Sequence, residues 1–345
     1  MLLIKQFISR YAARTASVVA AAVALTSCGS VFDDLEPCPS GVTMRFVYDY
    51  NLESAQAFHK QVDCLTLHLY NADGKYVTTV TETSGKLADE GWRMTLDLAP
   101  GTYHAIAYGG LACDKASFAY AAVPAEGADY RSIAMCLKDD HIGRRLHDHF
   151  HGALDFTVSA SATDYRQVTM SMTKTTNHFR ILLHNLSRQP VDGKDFEFII
   201  TDDNTRLDHN NRPVRGHKVS YPAWDSGKVL LSESGNVPVG KAAAAAAEDT
   251  DPSLAFGELS TSRLTRNSGA RLIIKKKDDG REVLNIPLNQ ILLASMSSAD
   301  PWGEQEYLDR GSRWNLTFFL DEGDNWLRTE VIVNGWAVRI RDIDF

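Results

Sequence analysis

The stretch HIGRRLHDHFHG, residues 141–152, places His147, His149 and His151 at alternate positions. On an extended strand alternate side chains share one face, so three imidazoles would point the same way and Asp148 the other. Three imidazoles on one face are a ligand set for Zn²⁺ or Cu²⁺. Catalytic zinc sites, however, draw their ligands from separate elements and fix them with further hydrogen bonds, and no such partners are identifiable in the sequence. A loop running into a strand, with exposed histidines, is the stronger reading. The expectation is no metal and no cofactor, with these three residues as the weak candidates.

Other candidate chemistry is thinner. TDDNTRLDHNN, residues 201–211, is rich in oxygen ligands. A calcium loop of the EF type needs Asp or Asn at its fifth position and Gly at its sixth. Counted from Asp202, those places hold Arg206 and Leu207, so a polar hairpin loop is expected instead. The sequence contains no glycine-rich phosphate loop opening a helix, no G-x-S-x-G elbow and no HExxH motif. An enzyme is not expected. Trp302, Trp314, Trp326 and Trp336 gather near the C-terminus. They could form a sugar-stacking platform, but core tryptophans with paired indole N–H groups are commoner.

The N-terminal residues decide the compartment. Residues 1–15 carry Lys5, Arg10 and Arg14 and no acidic side chain, and ASVVAAAVAL follows at 16–25. A basic segment ahead of a short apolar run is a secretory signal, too short to span a bilayer. Leu25-Thr26-Ser27-Cys28 then fits a lipoprotein box, in which the Cys28 thiol receives the lipid. One acyl chain holds a protein only marginally, so a triacylated cysteine is needed for durable anchoring. The expected organisation is a signal peptide over 1–27 and a lipidated, Pro- and acid-rich tether over 28–40. Removing residues 1–27 takes the net charge from −8 to −11. So acidic a chain lacks the basic footprint of a nucleic-acid binder, and no nucleic-acid partner is expected.

With Cys28 lipidated, Cys38, Cys64, Cys113 and Cys136 remain as candidate disulfide cysteines, with three possible connectivities. All four lie in the first half of the chain, and no CxxC spacing suggests a redox or zinc site.

These features must be carried by strands. VTMRFVYDY at 42–50, VDCLTLHLY at 62–70 and ALDFTVSA at 153–160 alternate apolar and polar residues. The Asn-Ala-Asp-Gly turn at 71–74 is a hairpin signal. In the second half HFRILLHNL, DFEFIIT, ARLIIKKK, RWNLTFFL and TEVIVNG repeat the pattern, with one short helix expected over Leu288–Leu293. Short strands separated by turns argue for β-sandwiches. The boundary is placed in SASATDY, giving one all-β domain over 41–160 and a second over 161–345. The alanine-rich segment at 240–253 is expected to be a surface loop, because six alanines cannot hold an isolated helix.

Several stretches together resemble one family. They are DLEPCPSGVTMRFVYDYN, VDCLTLHLYNADGKYV, HFHGALDF, TKTTNHFRILLHNL, QEYLDRGSRWNLTFFLDEG and VIVNGWAVRIRDIDF. In this order they resemble the fimbrial anchor proteins of the FimB/Mfa2 type from Bacteroidetes. The resemblance implies two transthyretin-like β-sandwich domains in tandem. It implies display on the cell outer membrane through acylated Cys28, with the early Asp33, Asp34 and Glu36 as the surface signal. It implies a partner, a fimbrial structural subunit, held by strand exchange at the base of a fimbrium whose length the anchor limits. The family's Phe-His-Gly turn also absorbs Phe150, His151 and Gly152, which weakens the metal reading. Because Phe345 follows a strand-like segment directly, accepting a strand is expected more than donating one. The alternative is a surface adhesin or glycan-binding lipoprotein.

Overall fold

The computed structural model describes residues 40–160, 164–187, 189–230 and 253–339. The signal segment, Cys28, the tether, Cys38 and the alanine run at 242–247 lie outside the described residues.

The first part of the chain runs through β1 (Gly41–Val47), the short helix α1 (Phe58–Gln61), β2 (Leu65–Asn71), β3 (Tyr76–Glu82), β4 (Met94–Asp97) and β5 (Gly101–Gly109). It continues through β6 (Phe118–Ala122), β7 (Ala134–Leu137), β8 (Phe150–Val158), β9 (Arg166–Ser171) and β10 (Thr173–Lys174). The β2–β3 turn forms as its residues demand. The Asn71 side-chain oxygen accepts from the Asp73 and Lys75 N–H groups, and Gly74 takes φ +75°. A three-stranded sheet, β4-β1-β9, faces a five-stranded sheet, β10-β8-β5-β2-β3. Met44, Phe46, Leu65, Leu67, Leu69, Phe150 and Met170 pack between them as one apolar core.

Two strands beyond residue 160 also belong to these sheets. β9 runs parallel to β1 from Val42–Arg166 to Val47–Ser171, and β10 pairs with β8.

The remaining strands are β11 (Asn177–Asn185), β12 (Phe196–Asp202), β13 (Arg206–Leu207), β14 (Val219–Pro222), β15 (Asp225–Leu230), β16 (Ser253–Thr261), β17 (Arg271–Lys276) and β18 (Glu282–Pro287). Helices α2 (Leu288–Leu293) and α3 (Glu304–Arg310) precede β19 (Arg313–Leu320), β20 (Trp326–Val333) and β21 (Trp336–Arg339). The helix over 288–293 sits where it was expected. A six-stranded sheet, β15-β16-β11-β19-β20-β21, faces a four-stranded one, β14-β12-β17-β18. Phe179, Ile181 and Leu183 alternate inward from β11 against Phe198, Ile200, Leu272 and Ile274.

A third, smaller sheet, β13-β7-β6, joins the two halves: β13 from the second half pairs with β7 from the first. It covers the outer face of the five-stranded sheet. As a result β2 is buried on both faces rather than one, including Thr66 and His68. Tyr70, Ile106 and Tyr108 on that face join Phe118, Met135, Leu207 and Tyr221 in an apolar cluster continuous with the second core. No helix among the described residues is long and apolar enough to cross a membrane.

Candidate functional site

The histidine segment lies at the junction of the two halves, and the structure separates its three imidazoles. Only His151 is in a strand, since β8 starts at Phe150; His147 and His149 precede it without regular pairing. His147 Nε2 lies 3.0 Å from Asp63 Oδ1, and its backbone N–H donates to Ser117 Oγ. His149 is fully buried, its ring stacked 4.4 Å from Phe118. His151 Nε2 donates to the His209 carbonyl at 3.0 Å. The expected row of exposed histidines is therefore corrected: His149 and His151 are core residues, covered by β6 and β7. Their nitrogens do not converge on one point. Burial pulls His149 down to about 3 and His151 to about 4, so both are neutral in the folded protein near pH 7.

Among the described residues, the cluster of potential ligand atoms that does converge is Asp63, Cys113 and His147. Cys113 is bonded to Cys64, so its sulfur is not a thiolate and the cluster lacks the charge a cation site needs. Asp63 instead bonds Lys115 and His147. Burial opposes its ionisation, but these two cationic or donating neighbours outweigh burial and hold its carboxyl below the usual range.

Asp148 carries the centre of the site, and the sequence did not mark it as such. Its Oδ2 lies 2.6 Å from Lys174 Nζ, and its Oδ1 accepts from His178 Nε2 at 2.9 Å. Lys174 also donates to Gln61 Oε1 at 3.1 Å. Burial disfavours the Asp148 charge. The His178 hydrogen bond and the Lys174 ammonium overcome it and hold the carboxyl well below the ordinary carboxylate range. Gly110 makes room for this turn: at φ +77°, a Cβ there would stand 1.9 Å from the Asp148 carbonyl oxygen. The segment is thus tied to β10 and β11, across the junction.

Above this pair opens a cleft of about 920 Å³. α1 supplies Lys60, the loop ahead of His147 supplies Arg144 and Arg145, and the start of β19 supplies Arg313. With Lys115, five Lys and Arg side chains line it against two carboxylates, Asp63 and Asp148. The whole chain has 44 acidic and 36 basic residues, so the cleft inverts the overall charge. Arg144 and Arg145 stand beside each other in the sequence, yet only folding brings Lys60 and Arg313 to them.

Of the cysteines, Cys64 and Cys113 form a disulfide with Cα atoms 5.7 Å apart, and Cys136 in β7 is bonded to no other described cysteine. Cys28 and Cys38 lie outside the described residues. Trp314 is buried, with its indole N–H donating to Asn177 Oδ1 at 3.2 Å, and Trp326 is also buried. Trp302 is half-buried against the Arg310 guanidinium, while Trp336 on β21 is 70% exposed. The four tryptophans make no common platform. The stretch expected as one polar hairpin loop is interrupted by β13, and the polar turn itself spans 208–212, closed by Asp208, whose Oδ1 accepts from the Asn210 and Arg212 N–H groups.

Four strands end sheets in ways that bear on assembly. Among the described residues, β3 pairs as a strand with β2 alone; Tyr76 N–H donates to the Ala128 carbonyl, which leaves an open edge over 77–82 that alternates between exposed and half-buried side chains. Among the described residues, β15 and β21 end the six-stranded sheet, and β14 ends the four-stranded one.

The family model of fimbrillin-A associated anchor proteins Mfa1 and Mfa2 matches residues 35–342. The chain belongs to this anchor family. Among solved structures, a candidate adhesin from Bacteroides thetaiotaomicron is 40% identical, covers 89% of this chain and 100% of its own, and superposes with a TM-score of 0.80. A candidate polysaccharide-binding protein from the same organism is 25% identical, with a TM-score of 0.72 over 89% of this chain and 99% of its own. The fimbrial anchor protein Mfa2 from Porphyromonas gingivalis shares 14% identity and a TM-score of 0.65 over 88% of this chain and 99% of its own, which establishes a common fold. No curated protein matches the chain by sequence. Membership of the anchor family accounts for the order of the quoted stretches along the chain. The Phe-His-Gly stretch expected as a turn is the start of β8, and Gly152 is needed there because a Cβ would meet Met172 Sδ at 2.6 Å and the Ser171 carbonyl at 2.9 Å.

Proposed function

We propose that this protein is an outer-membrane lipoprotein that anchors the base of a fimbrium and limits its length. The observation that carries the reading is the anchor-family match along residues 35–342, on a chain whose Leu25-Thr26-Ser27-Cys28 fits a lipoprotein box. The acylated Cys28 would hold the protein in the membrane, and the tether over 28–40 would let the body stand away from it. In this reading the two facing sheet pairs are the two transthyretin-like sandwiches, and the protein acts by contact rather than catalysis.

The partner is a fimbrial structural subunit, joined by strand exchange. An added strand would satisfy the unpaired N–H and C=O groups of an open edge while its alternate side chains fill the adjoining groove. The sides of β3 beyond Tyr76, of β15 and of β21 that pair with no described strand support this mode. Cysteines introduced singly at Val77 in β3, Leu230 in β15 and Trp336 in β21 would test it. Crosslinking of one of them to the fibre subunit is the expected result. Stable association of the two proteins with no crosslink at any of the three edges would remove strand exchange from the account.

A second reading, a surface adhesin, is favoured by the 40% identical relative described as a candidate adhesin. Anchoring and adhesion are compatible in one chain, since the first needs the lipid and a sheet edge and the second a separate ligand site.

A further inference from the structure

We propose that the junction cleft binds an acidic glycan, a saccharide chain bearing carboxylate or sulfate groups. The proposal goes beyond the anchoring role and does not depend on it.

Of the five Lys and Arg side chains lining the cleft, only Lys115 is ion-paired among the described residues. Asp63 is engaged by Lys115 and His147, and Asp148 by Lys174 and His178. Lys60, Arg144, Arg145 and Arg313 have no ion-pair partner among the described residues, although the chain as a whole has acidic residues in excess. Like charges held in one concavity repel, and a concave wall concentrates their field. An anion in the cleft relieves that repulsion. Three of the four are arginines, whose planar forks match carboxylate and sulfate oxygens. The floor is fixed, because the Lys174 and Asp148 pair ties the Arg144–Arg145 loop to β10. The rim adds neutral hydrogen-bonding groups suited to sugar hydroxyls, the Gln61 amide and the Thr83 hydroxyl.

The lining also selects among anions. Its only residues in strands, His178 and Arg313, belong to β11 and β19, interior strands of the six-stranded sheet. A peptide would find no free edge to pair with. Of its lining aliphatics, Val62, Leu87 and Leu146 are buried and the exposed one, Ala88, is a single methyl, so no large apolar anchor is offered either. An acidic peptide would have to order its backbone at about 1–2 kcal/mol per residue without those gains. A glycan chain is stiffer and loses less. Neutral sugars are commonly held by stacking on Trp, Tyr or Phe, and none of these lines the cleft. Charge on the sugar is what the site can recognise. The volume of about 920 Å³ lies at the upper end of the range for ligand pockets and suits several linked sugar units.

The test uses the full-length chain with Cys28→Ala, which removes the lipid and leaves the cleft intact. Titration calorimetry would compare galacturonate oligomers, heparin fragments, neutral dextran and polyglutamate. We expect the galacturonate oligomers, the heparin fragments or both to bind, and raised salt to weaken them. We expect dextran not to bind. Arg144→Ala with Arg145→Ala should weaken binding on the order of tenfold or more, and Arg313→Ala should weaken it as well. Lys277→Ala, at an exposed lysine outside the cleft, should not. Arg144 and Arg145 are exposed, so their loss should leave the fold unchanged by circular dichroism. Polyglutamate binding in place of the glycans would overturn the proposal in favour of an acidic peptide. So would glycan binding that ignores the arginine changes, or that falls equally with Lys277→Ala. A failed result here leaves the anchoring account standing, since that account is read from fimbriae rather than from sugar binding.

Discussion

The Lys174 ammonium lies 2.6 Å from the Asp148 carboxylate, and the Lys174 side chain is only 1% exposed. An ammonium so enclosed is tolerated because its partner is ionised and a second acceptor, Gln61 Oε1, comes from α1. Removing one partner leaves a buried charge without compensation. Lys174→Met should therefore destabilise the protein by about 3 kcal/mol, read as a lower urea midpoint. Lys174→Met combined with Asp148→Asn should recover part of that loss. A single variant as stable as the parent would show that the pair holds nothing in place.

The Cys64–Cys113 disulfide closes a loop of 49 residues that includes β3, β4 and β5. Chain-entropy arguments assign such a closure about 4 kcal/mol, model-dependent and reduced by any structure left in the unfolded chain. Replacing both cysteines by alanine should lower Tm by several degrees and loosen Asp63 and Lys115 beside the bond. Non-reduced peptide mapping checks the connection itself: a peptide joining Cys64 to Cys136 would contradict the structure.

Three buried histidines make the fold acid-sensitive. Burial lowers His68 to about 4, as it lowers His149 to about 3 and His151 to about 4. Because these values are depressed, the unfolded chain takes up protons below about 6.5 that the folded protein refuses. Stability should be full above that pH and fall as the pH drops toward 4, by up to about 2 kcal/mol per histidine at pH 5. His149→Phe, stacked on Phe118, should reduce the loss between pH 7 and pH 5. An unchanged pH profile in that variant would mean that His149 is reached by protons in the folded state.

Much of the fold was legible because it follows local rules. The Asn71–Gly74 turn carries its own hydrogen-bonding side chain and its glycine, and Leu288–Leu293 follows a proline with helix-forming residues. What could not be read was set by distant partners. His68 and Thr66 look like a polar, solvent-facing row until β6 and β7 fold over them, with Tyr120 closing on His68 at 2.7 Å. His147, His149 and His151 form a neat row only if the segment is a strand throughout, and the bonds to Ser117 and Thr176 pull its start away from strand pairing. The cleft draws Lys60 and Arg313 from 253 residues apart, a juxtaposition no periodicity encodes. The lipoprotein box is the converse case, chemistry plain in the sequence and lying outside the described residues.

The lipid on Cys28 is where the anchoring account is most exposed to test. Electron microscopy should compare fimbriae on cells and in the medium for the parent and the Cys28→Ala variant, with fibre-subunit levels measured in both. Long fibres shed into the medium, with subunit levels unchanged, are the predicted result. Fibres of normal length that stay attached, while the variant protein is made in full, would contradict the account.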